Sequence, residues 1–370
     1  MTVLTFIAGL VFLVFGAELL VRGAAKLALR FGVSALVVGL TVVAFGTGSP
    51  EMAVSINSAR SGNVDIAVAN VVGSNIFNVL FILGGCALIS PLIISRQIIR
   101  QEVPIMIGAS VLLVAVSADG SIGTFDAALL TVLVVIYTVF VIRQSRRAVA
   151  ADKAESEAQS RSDLDAEGVS TTSSWDDRVQ VQLGLVVTGL VTLIIGSRWL
   201  LSAATSFAES LGISDVVVGL TIVTAGTSLP EVATSVLATI RGHREIAVGN
   251  VIGSNIFNIL AVVGVSGLVA PIPLAVADSI QRFDNWVMLA VAVACLPVFV
   301  TGAIARWEGG LFLGYYVAYV AYLVLDSENH DALPTYSTVM LLFVVPITVV
   351  TLAVVMLRSR TSGAPPATAP

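Results

Sequence analysis

Two carboxylates stand where a membrane-spanning chain should avoid them. Glu51 ends the stretch "FGTGSPE" (45–51) and Glu231 ends "AGTSLPE" (225–231), both inside apolar runs long enough to cross a bilayer. An acidic side chain at that depth is costly, by roughly 2.5–3.5 kcal/mol for Asp on lenient scales, and marks a functional site by default. Each glutamate follows a glycine and a proline. Proline has no amide hydrogen and clashes with the preceding turn, so each span is expected to break there. Carbonyls freed near Thr47 then need partners that lipid cannot offer. A hard cation is such a partner, because Ca2+ and Na+ take carbonyl, hydroxyl, amide and carboxylate oxygens. Thr47 and Glu51 are four residues apart and share a helix face, as do Ser74 and Asn78 in the next span. Thr227 with Glu231 and Ser254 with Asn258 repeat both pairs. Folded together, these residues supply two carboxylates, two amides and several hydroxyls, an all-oxygen cation cage. One Ca2+ or two Na+ would balance the two negative charges. Taken singly, Ser, Thr, Asn and Gly in membrane helices serve packing as readily as ion binding. Two glutamates behind matching Gly-Thr-x-x-Pro breaks are poorly explained that way.

The matching positions belong to an internal repeat. Residues 32–84 align with 212–264 without a gap, with 28 identities in 53 positions, including the whole of "GSNIFN" at Gly73–Asn78 and Gly253–Asn258. Apolar composition produces scattered Val and Ile matches but not polar ones in register. Five spans precede the repeat boundary, and because five is odd the second half enters the membrane upside down. Inverted repeats with polar breaks at corresponding positions point to a transport site at the repeat interface.

The elements that must position the cage follow from composition. The chain has 370 residues, of which 56% are hydrophobic and 12% charged, with mean hydropathy +0.97. A soluble domain carries about twice that charge, so the fold class is an all-α polytopic membrane protein. About eleven spans are expected, at 3–21, 33–59, 64–92, 102–117, 124–142, 181–200, 213–240, 245–271, 284–302, 308–325 and 337–357. They divide the chain into a first five-helix repeat (1–142), a flexible cytoplasmic linker (143–180), a second inverted repeat (181–325), and an extra helix with a disordered tail (326–370). The N-terminal run lacks a basic leader, its first positive charge being Arg22, which favours a retained helix with its start outside. On that orientation sixteen of the nineteen Lys and Arg fall on the inner side, and only Arg60, Arg198 and Arg282 fall outside. This is the positive-inside distribution, with the C-terminus inside. The net charge of −5 shows no basic face for nucleic acid. Cys86 and Cys295 lie in apolar segments without a CxxC partner and read as packing residues.

"GTGSPE…GSNIFN" and "GTSLPE…GSNIFN" resemble the two alpha-repeats of the cation/calcium exchanger superfamily, and most closely its prokaryotic sodium/calcium antiporter branch. The likeness covers both repeats and most of the ten-helix core. It implies alternating-access exchange of Ca2+ for Na+ across the cell membrane (inner or plasma), with both ions as cargo and no cofactor. It also implies that Glu51 and Glu231 ligate Ca2+ together with the backbone carbonyls of Thr47 and Thr227. Asn78, Ser74, Ser254 and Asn258 would form flanking Na+ sites, with carbonyls from Ala44 and Thr224. The family's first motif often reads GTSLPE. Here Gly48 removes a hydroxyl that Ser228 retains in the second half, and Asn258 stands where some members carry Asp.

The nearest rival is a Ca2+/H+ antiporter that uses the same glutamates as proton carriers. A cation channel fits inverted repeats with one compact site less well. An enzyme is disfavoured, since no HExxH or nucleophile–base pair occurs, and His243 and His330 fall in expected loops. The linker's "DLDAEG" (Asp163–Gly168) opens like a calcium loop, but the twelfth position is Ser174 instead of a bidentate Glu. The first and sixth spans lack the site motifs and are candidates for a sliding element. Partners are the transported cations and the bilayer, and oligomeric state stays open.

Overall fold

The computed structural model describes residues 2–160, 178–210, 224–300, 302–328 and 330–361. Among the described residues the regular structure is helical apart from four two-residue strands. Helix α1 (Thr2–Phe31) leads to α2 (Ala35–Thr47) and α3 (Ser49–Arg60), a pair bent by 44°. Next come α4 (Val64–Ile89), α5 (Ile98–Val116) and α6 (Thr124–Ser160). The second half repeats the order with α7 (Val179–Ser210), the turn α8 (Thr224–Thr227), α9 (Leu229–Ile240) and α10 (Arg244–Val269). It continues with α11 (Asn285–Val300) and α12 (Arg306–Ser327), and α13 (Leu333–Thr351) follows outside the repeats.

Eight described helices are long and apolar enough to span a membrane, nine if the bent pair α2–α3 counts as one span. The expected span 213–240 lies partly outside the described residues, which hold its second part as α8 and α9. The expected span 284–302 corresponds to α11 with a π-helical turn, Ile280–Asp284, in front of it. Helix α6 runs to Ser160, well past the expected end at 142. Residues 143–160 are rich in Ala, Glu, Arg and Lys, which favour helix even without an apolar face to bury. Residues 161–177, with the calcium-loop-like stretch and Ser174, and the tail 362–370 lie outside the described residues.

Helices α4 and α10 are the buried centre, while α1, α6, α7 and α12 turn apolar faces outward. Strands β1 (Leu92–Ile93), β2 (Ser121–Ile122), β3 (Leu274–Ala275) and β4 (Ala303–Ile304) pair across the halves as β1 with β4 and β2 with β3, both antiparallel. Two-residue strands carry too little pattern to be legible in sequence. Cys86 and Cys295 are buried and free, as packing residues should be.

Helices α1 and α7 pack antiparallel at backbone distance. A Cβ placed on Gly16 would lie 2.7 Å from the Leu193 nitrogen and 2.8 Å from the Gly189 oxygen, and one on Gly196 would lie 2.7 Å from the Leu13 nitrogen. Glycines a heptad apart thus let the two chains meet where any side chain would collide.

The halves are not equivalent around this pair. Helix α1 lies against α9, where Ala233 and Leu237 join the apolar cluster of Leu13, Leu20 and Ala24, and Glu18 meets Arg241 at 2.9 Å. The corresponding face of α3 shows Ala53 and Asn57 exposed, and among the described residues α7 makes no comparable contact with it.

Candidate functional site

The break in each half falls one residue past the Gly-Thr pair, at Gly48 and Ser228. Pro50 and Pro230 sit in the first turn of α3 and α9, where a missing amide hydrogen is tolerated. Each proline leaves the carbonyl four residues earlier without its helical donor. For Gly226 that carbonyl accepts from the Ser197 hydroxyl of α7 at 2.9 Å, a partner the motifs do not reveal. The corresponding residue of α1 is Ala17, which has no hydroxyl. Ala44 is buried and its carbonyl accepts from the Gly48 amide at 3.0 Å, so it is bonded within the chain before any ion is considered. Thr224 opens α8, and its side chain lies outside the described residues.

Glu51 and Glu231 begin α3 and α9 and are each 1% exposed. The breaks bring them together from opposite halves, close enough for their charges to repel. Each stands beside a threonine of the other half, Glu51 beside Thr227 and Glu231 beside Thr47. The Ser228 hydroxyl donates to Glu51 Oε1 at 2.8 Å and lies 3.3 Å from the Ser74 hydroxyl oxygen. Glu231 has no such neighbour at position 48. A Cβ on Gly48 would lie 3.8 Å from Asn258 Oδ1 but only 3.0 Å from the Ala44 carbonyl, so a serine fits only if that carbonyl gives slightly.

Ser74, Asn78, Ser254 and Asn258 are buried on α4 and α10, and each asparagine begins a π-helical turn, Asn78–Leu83 and Asn258–Val263. Such turns widen the helix and recur at functional sites. The two helices are joined across the pseudo-two-fold by side-chain amides. Asn78 Nδ2 donates to Asn255 Oδ1 and Asn258 Nδ2 to Asn75 Oδ1, each at 3.1 Å. Behind the glutamates stand two further pairs that sequence reasoning missed. Asn70 Nδ2 donates to Ser55 Oγ at 3.1 Å, and Asn250 Nδ2 to Ser235 Oγ at 2.9 Å. Their identity between the repeats was the available signal. Asn250 Oδ1 also accepts from the Thr47 hydroxyl at 3.1 Å, which ties the break in one half to a helix of the other.

The chemical character of the site lies in what is left over. Glu51 Oε2, Glu231 Oε2, Asn78 Oδ1 and Asn258 Oδ1 are buried acceptors with no donor among the described residues, and the Ser254 hydroxyl is also unpartnered. A buried acceptor without a donor costs about 1–3 kcal/mol, more if charged. Four such oxygens, two on carboxylates, form an environment that a positive ion without N–H or O–H groups of its own can satisfy.

Broken spans in inverted repeats around a buried, donor-poor acidic centre define a secondary transporter of cations. The chain belongs to the sodium/calcium exchanger protein family, whose model matches residues 1–143 and 181–325. It is 35% identical over 325 residues to CaxA of Alkalimonas amylolytica, covering 87% of this chain and 98% of that protein. It is 34% identical over 343 residues to the sodium/calcium exchanger MaX1 of Methanosarcina acetivorans, covering 86% and 97% of the two chains. It also resembles the solved structure of the sodium-calcium exchanger NCX_Mj, at TM-score 0.72 and 28% identity over 86% of this chain and 97% of that one. It is an integral membrane cation exchanger, in keeping with its apolar helices.

Proposed function

We propose that this protein exchanges Ca2+ for Na+ by alternating access, with no cofactor, in the inner or plasma membrane. Ca2+ is held between Glu51 and Glu231 with the carbonyls of Thr47 and Thr227, and Na+ is held at flanking positions by Asn78, Ser74, Ser254 and Asn258, Ser228 bracing Glu51. The carbonyls of Ala44 and Thr224 complete the set that the resemblance implies. The observation that carries this reading is the pair of buried glutamates, one from each inverted half, whose outer oxygens lack any donor among the described residues.

Charge balance supplies the coupling rule. With bare carboxylates, the site would carry two negative charges through low dielectric during a change of facing, which costs several kcal/mol per ion. One Ca2+ or two Na+ remove that cost, so the loaded site moves and the bare site does not. On the orientation the charges favour, the exposed face of α3 opens outward and the face of α9 sealed by α1 closes the inner side. Exchanging these two relations is the transport step.

Vesicles loaded with Na+ and diluted into Na+-free medium should take up radiolabelled Ca2+. Glu51→Gln or Glu231→Gln should abolish that uptake, and undiminished uptake in either variant would refute the site. Uptake that runs on a pH gradient without Na+ would assign H+ as the counter-ion instead.

A further inference from the structure

A side-chain amide is nearly symmetric in shape and opposite in polarity at its two ends. Oxygen toward a cation makes a ligand, whereas nitrogen toward it aims two N–H donors at a positive charge. The shape of Asn78 or Asn258 does not decide between the two. A partner that can only accept, or only donate, must decide.

Asn75 and Asn255 supply that decision. Asn75 Nδ2 donates to the Asn255 carbonyl at 3.2 Å, and Asn255 Nδ2 donates to the Asn75 carbonyl at 3.4 Å. A backbone carbonyl cannot donate, so the nitrogen of each amide is pinned to it. The same nitrogens also face weak acceptors, Met288 Sδ at 3.7 Å and Met106 Sδ at 3.5 Å. The oxygens of Asn75 and Asn255 are therefore turned to the nitrogens of Asn258 and Asn78, at 3.1 Å in both cases. With those nitrogens engaged, Asn78 Oδ1 and Asn258 Oδ1 point elsewhere, and both are buried without a donor among the described residues. All four asparagines are at most 3% exposed, so bulk water does not compete for their amides.

We propose that Asn75 and Asn255 are positioning residues that hold the amides of Asn258 and Asn78 with oxygen, not nitrogen, toward the transported cation. Each acts across the repeat boundary, so the pseudo-two-fold contact between α4 and α10 itself orients the ligands. The inference rests on the cation-site reading above. A carboxylate at 258 would need no such orientation, since both its terminal atoms are oxygens. A pair of amides needs two orienting partners.

A packing role and an orienting role predict different couplings. Cation binding is measured by calorimetry with Ca2+ and with Na+ on the purified full-length protein, for wild type, Asn75→Leu, Asn258→Asp and the double variant. The mirror set is Asn255→Leu with Asn78→Asp. Orientation predicts that Asn75→Leu weakens binding roughly tenfold or more in the natural background, the worth of one hydrogen bond or ligand to a charge. It predicts that the same change matters little, about twofold or less, once Asn258→Asp is present. Equal losses in both backgrounds, or no loss in the first, overturn the proposal. If Asn75→Leu does not fold, Asn75→Ser and the mirror set make the same comparison. A wild-type protein that binds neither cation overturns the site reading and this inference together, whereas normal wild-type binding with uncoupled variants overturns only the inference.

Discussion

At the scale of residues, the site is built from surplus oxygen. Nearly every polar group around the two glutamates finds a partner in the chain: Ser228 with Glu51, Asn70 with Ser55, Asn250 with Ser235 and Thr47. The groups left over among the described residues are acceptors, apart from the Ser254 hydroxyl and, beyond the ligand set, those of Thr234 and Ser266. Without cations, then, ionising both Glu51 and Glu231 would set two opposed charges in a buried site, and replacing one carboxyl relieves the protein of that cost. Glu231→Gln should therefore melt at a higher temperature than wild type in cation-free buffer. Wild type should gain about 2.7 kcal/mol of stability from Ca2+ at a hundred times its dissociation constant, and the variant should lose most of that gain. Thermal melts with and without Ca2+ read both effects. A variant that melts lower in cation-free buffer and still responds fully to Ca2+ would mean that Glu231 does not face the ion.

At the scale of elements, α1 and α7 are packed together at backbone distance. Their glycines meet so closely that a methyl group on Gly16 of α1 has no room, while Gly184 of α7 has nothing within 4 Å. Gly16→Ala should destabilise by about 1–3 kcal/mol as an overpacking change. Gly184→Ala should be neutral or slightly stabilising, because alanine is the better helix former. Comparing the melting temperatures of the two variants tests this, and equal shifts would contradict the close contact. The seal between α1 and α9 belongs to the same scale. Its ion pair, Glu18 with Arg241, has both side chains more than a third exposed, and such pairs contribute roughly 0–1 kcal/mol. The apolar contact of Ala233, Leu237 and Ala238 with α1 is the larger part of the closure.

At the scale of the whole molecule, two related halves occupy different environments. Positions 53 and 57 on α3 are exposed, while their repeat equivalents 233 and 237 on α9 are covered by α1. A membrane-impermeant thiol reagent applied from outside should label Ala53→Cys and Asn57→Cys but leave Ala233→Cys and Leu237→Cys unmodified. The native Cys86 and Cys295 are buried and should stay silent. Labelling of the α9 positions from outside, with the α3 positions protected, would reverse the assigned facing.

Much of this was legible in the chain itself, because membrane-spanning sequences separate their signals. Apolar length marked the spans, and the polar identities between 32–84 and 212–264 the repeat. Glu51 and Glu231 stood out because a bilayer leaves few reasons to keep a carboxylate. Sequence did not show how the halves meet. Ser197, Asn70, Asn250 and the crossed amides of Asn75 and Asn255 act through partners up to 203 residues away. The unequal covering of α3 and α9 has a partial trace in composition, since Asn57 and Arg60 of α3 stand where α9 carries Leu237 and Ile240. Local composition determines which residues are expelled from lipid, since that depends on each side chain and the solvent it meets. Which oxygens keep a free lone pair depends on every donor the folded chain brings near them, and only the tertiary structure decides that.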